Sequence, residues 1–527
     1  MSNQGRQPMQ WYYVWPNQNL RAHFELMKDG NLDEKPVTTP FAEGEDDEHL
    51  LGEWLKELSR LEREWPTLYD YEVEMQSKVG PLSCMKPLKE RMDSITAYYE
   101  IATDAEPLNE TALSQCIRKW MTIGGLRRRS KAATIDAMRL STNSGAPFYT
   151  KRRLVVESEF NAANDVTSSE WRAYYQNLGR YVMCATLGWR GREGGPSVTD
   201  TKQRVLWMFP MQVNIAELSY YQPVIIAAQR ANLVPAWNGD AYVDQAMTEL
   251  LHGKPEHELV VCTDFSAYDA HFGPVCQDAA LLVLQKLFQN DKDLQDVLRF
   301  KYNIPLCIGV GKFMTGRHGM ASGSGGTNVD ETIFHTGLQL EAAVEHNSQL
   351  NPASMCLGDD GVLSYPGITP EQVVESYTKH GLEMNIDKQY VSEADTIYLR
   401  RWHHRDYMVG GVCVGVYPTM RALGRLRYME RYIDPSKWGK VAVAMRELSV
   451  IENCRYHPLF QRFVEFCVKR DKYRLGLDIP GFMAGIDDVY MKAKANDTLY
   501  VSYSQEFNNP SPPSQWSVVQ VLKTLRK

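Results

Sequence analysis

Two adjacent carboxylates, Asp359 and Asp360, stand at a tight turn between the apolar runs Ser354-Met355-Cys356-Leu357 and Val362-Leu363-Ser364-Tyr365. That pattern reads as a β-hairpin with acid at its tip. Two ionised aspartates side by side repel, so a cation or a protonation shift must compensate, and hard divalent cations are the usual partners of oxygen-rich sites. Alone, Gly-Asp-Asp is more often a surface turn, because Gly and Asp are ordinary turn residues. Partners elsewhere decide its meaning. A second acid, Asp264, ends the apolar run Leu259-Val260-Val261-Cys262-Thr263 and is expected at the C-terminal edge of a buried strand. Asp269 follows five residues later, too far round for the same strand face, so it needs a turn and a separate role. Lys202 and Arg204 open another strand-like run, two residues apart and hence on one face. Paired cations there suit a phosphate chain; a solvated strand edge is the alternative. If the strands carrying Asp264 and Asp359 are neighbours, the two acids can bridge two divalent ions about 3.5 to 4 Å apart, the arrangement that clamps attacking and leaving oxygens in phosphoryl transfer.

These residues need elements to hold them. A helix is expected with Ala280, Val283, Leu284, Leu287 and Phe288 on one side, and a Gly-rich loop from Gly319 to Asn328 runs into a helix over Val329 to Leu340. Such loops can cradle phosphate at a helix start. No Gly-Lys-Ser/Thr follows, which excludes a nucleotide-hydrolase P-loop. Thr369 as N-cap, Pro370 and Gln372 start a helix with Val373, Val374 and Tyr377 on its apolar face, stopped at Gly381 and expected directly behind the hairpin. Short strands or a loop over Leu382 to Lys388 and Asp395 to Trp402 bring Lys388 near this unit, and an apolar hairpin covers Val409 to Pro418. Upstream, Leu50, Leu51, Trp54, Leu55, Leu58 and Leu61 keep helical spacing, and Thr142 to Phe148 is rich in turn formers. After a Pro/Ser break at Asn509 to Ser514, the tail with Trp516, Val519 and Leu522 reads as a frayed terminus, with a cavity-plugging segment as the alternative.

The chain has 527 residues, 43% of them hydrophobic, which allows several domains' worth of core. A formal net charge of -7 argues against a generic basic coat. The charge is unevenly spread: acid clusters at Glu43 to Glu48, base at Arg118 to Lys131, Lys151 to Arg153 and Arg400 to Arg427, which suggests a lined channel. Ten scattered cysteines with no zinc spacing read as free thiols in a reducing compartment. With no signal-peptide pattern and no apolar stretch near ~20 residues, a soluble protein without membrane contact is expected.

Acid-tipped strand, helix, Gly-rich loop with helix, acidic hairpin, helix and strand follow in order. In that order Asp264-Phe265-Ser266-Ala267-Tyr268-Asp269, Ser322-Gly323-Ser324-Gly325-Gly326-Thr327 and Gly358-Asp359-Asp360 resemble the three leading palm motifs of viral RNA-dependent RNA polymerases, and among them most resemble the picobirnavirus enzymes. Ser144-Gly145-Ala146-Pro147 is similar to the template-guiding fingers motif, Lys202-x-Arg204 to the triphosphate-holding one, and Val409 to Arg421 to the primer-grip hairpin. One departure stands out: many relatives place Asn four residues after the motif Thr to help read the ribose, where this chain has Glu331 preceded by Asp330.

The resemblance implies an α+β right-hand polymerase whose palm carries an RNA-recognition-like sheet. A bridging region would cover 1–95, fingers 96–255, palm 256–420 with a fingers insertion about 300–318, thumb 421–508 and a tail 509–527. It implies metal ligation by Asp264 and Asp359, with Asp360 supporting, and two divalent cations, Mg with Mn possible. Lys388 would donate a proton to departing pyrophosphate, Lys202 and Arg204 would neutralise the triphosphate, and Asp269 would accept from the ribose 2′-OH, assisted by Ser322, Gly323, Thr327 and Asn328. Ser144, Gly145 and Pro147 would guide template. RNA, NTPs and a viral capsid protein are the implied partners of a monomer working in the virion interior and host-cell cytoplasm. A reverse transcriptase and a silent RNA-binding capsid-associated protein are the competing readings.

Overall fold

The apolar stretch at 260–263 offers no side chain to water, and in the computed structural model it lies buried at the centre of a sheet. The structure describes residues 18–146, 148–157, 184–289, 291–431, 439–495 and 511–525. Its strands are β1 Ala185–Arg192, β2 Lys202–Met208, β3 Val260–Thr263, β4 Leu306–Gly309, β5 Lys312–Met314, β6 Met355–Leu357, β7 Asp360–Leu363, β8 Tyr390–Ser392, β9 Asp395–Tyr398, β10 Arg401–His404, β11 Met408–Val409 and β12 Val412–Cys413.

One four-stranded sheet runs β6-β7-β3-β8, antiparallel throughout, with Thr263 opposite Gly361 and Leu357 opposite Asp360. Alternation sends Val261 and Leu363 to one face, where they join Val329, Ile333 and Leu284 in the largest core. Cys262 and Val362 go to the other, against Val243, Met247 and Leu250 of the Asp240–Gly253 helix and Tyr398 of β9. The Thr327–Glu345 helix packs against β6, so it is the element directly behind the acidic hairpin. The Pro370–Thr378 helix, expected there, packs chiefly on that longer helix; its N-cap is as expected, Thr369 accepting from Gln372 N. Leu382 to Lys388 forms no strand: Ile386–Lys388 is a 3-10 turn and the strand begins at Tyr390.

The second sheet runs β2-β1-β4-β5, with β1 and β2 antiparallel and β4 parallel to β1. Arg190 lies opposite Arg204 and Arg192 opposite Lys202, so four cations share one face of this ribbon.

N-terminal residues serve both main cores. Leu20, Phe24 and Met27 enter the first, whereas Phe41, Trp54, Leu58 and Leu68 enter a second with the Thr419–Arg427, Lys440–Glu452 and Phe460–Arg470 helices. The C-terminal residues correct both readings of the tail. Ser517–Leu525 is a helix whose Val518, Val519 and Leu522 are fully buried in the second core. Glu452 accepts from the Ser517 and Val518 amides at 3.1 and 2.9 Å, satisfying donors at its start. An apolar face at this spacing buries itself on the nearest helices, so residues 511–525 neither fray nor plug a cavity. All ten cysteines are buried and none forms a disulfide, and among the described residues no helix is long and apolar enough to cross a membrane.

Candidate active site

Asp264 follows the last residue of β3, and its backbone is fixed from β8's approach. Gln389 accepts from Asp264 N at 2.9 Å and donates to Asp264 O at 3.0 Å and to Asn385 O at 2.7 Å. Asp359 sits in the two-residue turn between β6 and β7, after Gly358 at φ +60°. A Cβ there would lie 3.3 Å from Glu331 Oε2, so glycine serves both the left-handed backbone and the close approach. The Thr327–Glu345 helix grips this turn by both of its polar groups. Gly358 N donates to Thr332 Oγ1 at 2.9 Å, and Gly358 O accepts from His335 Nδ1 at 2.8 Å. A carbonyl can only accept, so Nδ1 carries the proton and Nε2 faces the Thr263 hydroxyl at 3.5 Å. Burial lowers the His335 pKa to about 4, leaving a neutral ring that ties β3 to the hairpin.

Neighbouring strands thus bring Asp264, Asp359 and Asp360 to one edge of the sheet, where they line a cavity of about 530 Å³. Lys202, Arg204, Arg192 and Arg400 line it too. Arg400 arrives by a two-residue turn from β9 to β10 in which Leu399 and Arg400 both have positive φ, 49° and 66°. That backbone is costly for non-glycine residues, and such strain concentrates at working sites.

Burial disfavours the charge of all three acids. Burial raises the Asp264 pKa, with Lys388 opposing and Asp359 adding; burial and Asp269 raise Asp359, against Arg204. Asp360 is pushed up to about 7 by burial and Asp359, with Arg400 opposing. All three carboxylates open onto cleft water although protein walls surround them, and that water moderates the shifts. Among the described residues no three His, Cys, Asp or Glu side chains gather as a ready metal cage. The donor set nevertheless suits a hard divalent ion such as Mg, which takes one or two carboxylates and completes its shell with water and substrate phosphate.

Asp269 is turned into the site by Ala267 at φ +49° and pairs with Arg204 at 2.5 Å. Arg204 stays cationic: burial disfavours its charge, but Asp269 outweighs that and raises its pKa. Glu331 is buried beside them, and desolvation, then Asp269 and Asp359, raise its pKa well above the usual carboxylate range. Asn328 reaches the cavity, its Oδ1 accepting from Trp237 Nε1 at 2.6 Å. The Ser322 hydroxyl donates to Val205 O and that of Thr327 to Ala321 O and Ser324 O, each at 3.3 Å, while Gly323 lies against Trp207 O. Lys388 is exposed near Asp264.

Ser144 and Gly145 are not gathered with the carboxylates. Ser144 is buried, its Oγ accepting from Thr150 N at 3.2 Å, and Gly145 rests on Phe209 O. Neighbouring Thr142, Asn143 and Lys151 line a separate cavity of about 600 Å³ with Arg139 and Arg190. Pro147 lies outside the described residues. Sequence reasoning missed His335, Gln389, Trp237, Arg192 and Arg400 as parts of the site. The Arg192 side chain continues the period-two row of Lys202 and Arg204 across the ribbon, a signal that needed the strand pairing.

A profile of the viral RNA-dependent RNA polymerase family matches residues 108–423. The chain is 47% identical to a potential RNA-dependent RNA polymerase of a human picobirnavirus (strain Human/Thailand/Hy005102/-), over 98% of each chain. Its structure is similar to the crystal structure of the RNA-dependent RNA polymerase of a human picobirnavirus, with a TM-score of 0.89, 46% identity and 98% of each chain covered. An insertion-loop deletion mutant of such a polymerase matches with a TM-score of 0.88, at the same identity and coverage. On these matches, the chain belongs to the viral RNA-dependent RNA polymerases.

Proposed function

We propose that the 530 Å³ cavity is where this RNA-directed RNA polymerase joins nucleotides, with Asp264 and Asp359 as ligands of two divalent cations and Asp360 supporting them. The observation that carries the reading is the meeting of acids from two neighbouring strands with a wall of cations from the β1–β2 ribbon. Bound there, Mg, or Mn in its place, would neutralise the carboxylates and the charge developing on the transferring phosphoryl group. Lys202 and Arg204, with Arg192, hold the NTP triphosphate by charge, and Lys388 protonates the departing pyrophosphate as a general acid. Asp269, oriented by Arg204, accepts from the ribose 2′-OH, the group that separates RNA from DNA precursors. Ser322, Gly323, Thr327 and Asn328 shape that pocket, and Ser144, Gly145 and Pro147 guide template toward it.

The matching organisation of the chain is a bridging region 1–95, fingers 96–255, palm 256–420, thumb 421–508 and tail 509–527. Pairing of β4 with β1 supports assigning 300–318 to the fingers. By its likeness to polymerases of a human picobirnavirus, the protein replicates and transcribes a double-stranded RNA genome. On the same ground it works as a monomer inside the virion, docked on capsid protein, and in the host-cell cytoplasm; loss of co-sedimentation with capsids would remove that part.

Primer extension on a defined RNA template with ribo- and 2′-deoxynucleoside triphosphates tests the site. Incorporation is expected to require a divalent cation, and Asp269→Ala to narrow the ribose preference at least about tenfold, the scale of one lost charge-assisted hydrogen bond. Unchanged discrimination in that variant removes Asp269 from the ribose site.

A further inference from the structure

The loop 322–326 that leads into the Thr327–Glu345 helix lies directly on the Met211–Arg230 helix. A Cβ on Gly325 would come within 2.8 Å of Leu218, and one on Gly326 within 2.0 Å of the Tyr221 ring. Asn214, Glu217, Leu218 and Tyr221 stand at i, i+3, i+4 and i+7, one stripe of that helix. The stripe holds the loop by directed hydrogen bonds as well as by packing. Asn214 Nδ2 donates to Gly323 O at 3.0 Å, and its Oδ1 accepts from Arg152. Glu217 is fully buried, and its two oxygens accept from Ser324 Oγ at 2.9 Å and Gly325 N at 3.0 Å. Ser324 Oγ in turn accepts from Gly326 N at 3.0 Å, so the carboxylate fixes the last residues before the helix begins.

A buried carboxylate is costly even when hydrogen-bonded. Burial outweighs the nearby Lys301 charge and raises the Glu217 pKa; Lys301 is itself fully buried, lies 4.5 Å from the centre of the Tyr221 ring and pairs with Asp330 at 2.6 Å in the first turn of the Thr327–Glu345 helix. An apolar side chain could fill this volume, but it could not set the direction of two loop donors. The loop's depth reaches the acidic hairpin through one hydroxyl: Thr332 Oγ1 donates to Asn328 O at 2.6 Å and accepts from Gly358 N at 2.9 Å.

We propose that Glu217 is a positioning residue for nucleotide selection: by holding Ser324 and Gly325 it sets where Thr327 and Asn328 stand relative to Asp269 and the Gly358–Asp360 turn. This rests on the reading that the loop meets the ribose of the incoming NTP.

The test is single-nucleotide incorporation by the full-length protein on a defined RNA template. It compares wild type, Glu217→Gln, Ser324→Ala and Thr327→Ala for NTP KM, kcat and the ratio of ribo- to 2′-deoxynucleotide kcat/KM. Glu217→Gln keeps the shape but removes the charge and one of the two acceptors that hold Ser324 Oγ and the Gly325 N–H. It is expected to raise the NTP KM about tenfold with kcat within about threefold, and to reduce the discrimination ratio at least about threefold. The double variant with Ser324→Ala should lose less than the sum of the two single variants, because the two share one hydrogen bond. A Glu217→Gln protein with lowered Tm but wild-type KM and discrimination overturns the proposal. If that variant does not fold, Ser324→Ala decides: it keeps the carboxylate, is expected to raise KM about threefold, and overturns the proposal by leaving KM and discrimination unchanged. Thr327→Ala separates the two layers. Its failure to alter KM or discrimination sinks the ribose reading and the proposal together, whereas an effect there with none at Glu217 or Ser324 sinks the proposal alone.

Discussion

At Asp264, Asp359 and Asp360 burial and mutual repulsion disfavour the ionised carboxylates more than the nearby cations favour them, and this has a measurable consequence. Their pKa values are raised in the folded, metal-free chain, Asp360 to about 7. The folded state therefore binds protons that the unfolded state, with carboxylates near 4, has already lost. The stabilisation is fully present below about pH 4 and lost as pH rises toward 7. Divalent cations bind the ionised form, so the Tm gain on adding Mg is predicted to be larger at pH 8 than at pH 5.5. Equal gains at both pH values would remove these carboxylates as the metal ligands. A second residue-scale prediction concerns His335, which touches no substrate but donates to Gly358 O. His335→Phe is predicted to lower kcat about 10- to 100-fold, the usual scale for a lost supporting hydrogen bond at a metal site, with His335→Gln partly restoring it. Equal kcat in the two variants would reduce His335 to core packing.

Elements decide which residues could be foreseen. Asp264 and Asp359 were legible because each ends or interrupts an apolar run, and a strand delivers its terminal residue to a sheet edge. Lys202 and Arg204 were legible from strand periodicity alone. Arg400 was legible only as the start of a basic run expected to line a channel: its approach to the acids depends on two non-glycine residues in left-handed conformations, which no local pattern announces. Gln389 and His335 act on backbone groups from other elements, so their roles exist only once β8 and the Thr327–Glu345 helix are docked. For the tail, the apolar spacing of 518, 519 and 522 was readable, but the Pro/Ser break before it pointed the other way. Deleting residues 511–527 is predicted to lower stability by several kcal/mol, since each fully buried Val or Leu contributes about 1.5 to 3. Unchanged Tm with altered initiation would instead restore the plug.

Across the whole molecule, the N-terminal segment and the β1–β2 ribbon hold the cavity walls in register. Glu72, fully buried, accepts from Thr419 N and Oγ1 and from Met420 N at 2.7, 2.7 and 2.8 Å, fixing the start of the Thr419–Arg427 helix. That helix returns Arg421 and Arg425 to Glu193 at 3.0 and 2.8 Å, just beyond β1. Burial opposes the Glu193 charge, but the two arginines win and hold its pKa at about 2. The wall bearing Arg192, Lys202 and Arg204 is thereby joined to the elements after the acidic hairpin, which places cations and acids on facing sides of one space. The central claim, that Asp359 works as a metal-binding carboxylate in nucleotidyl transfer, is tested most directly by template-directed NMP incorporation with Mg, comparing wild type and Asp359→Asn. A loss of at least about 10³-fold is expected, with a metal-free Tm at pH 8 no lower than wild type, because the variant relieves charge repulsion. Incorporation within about tenfold of wild type by a folded Asp359→Asn protein would contradict it.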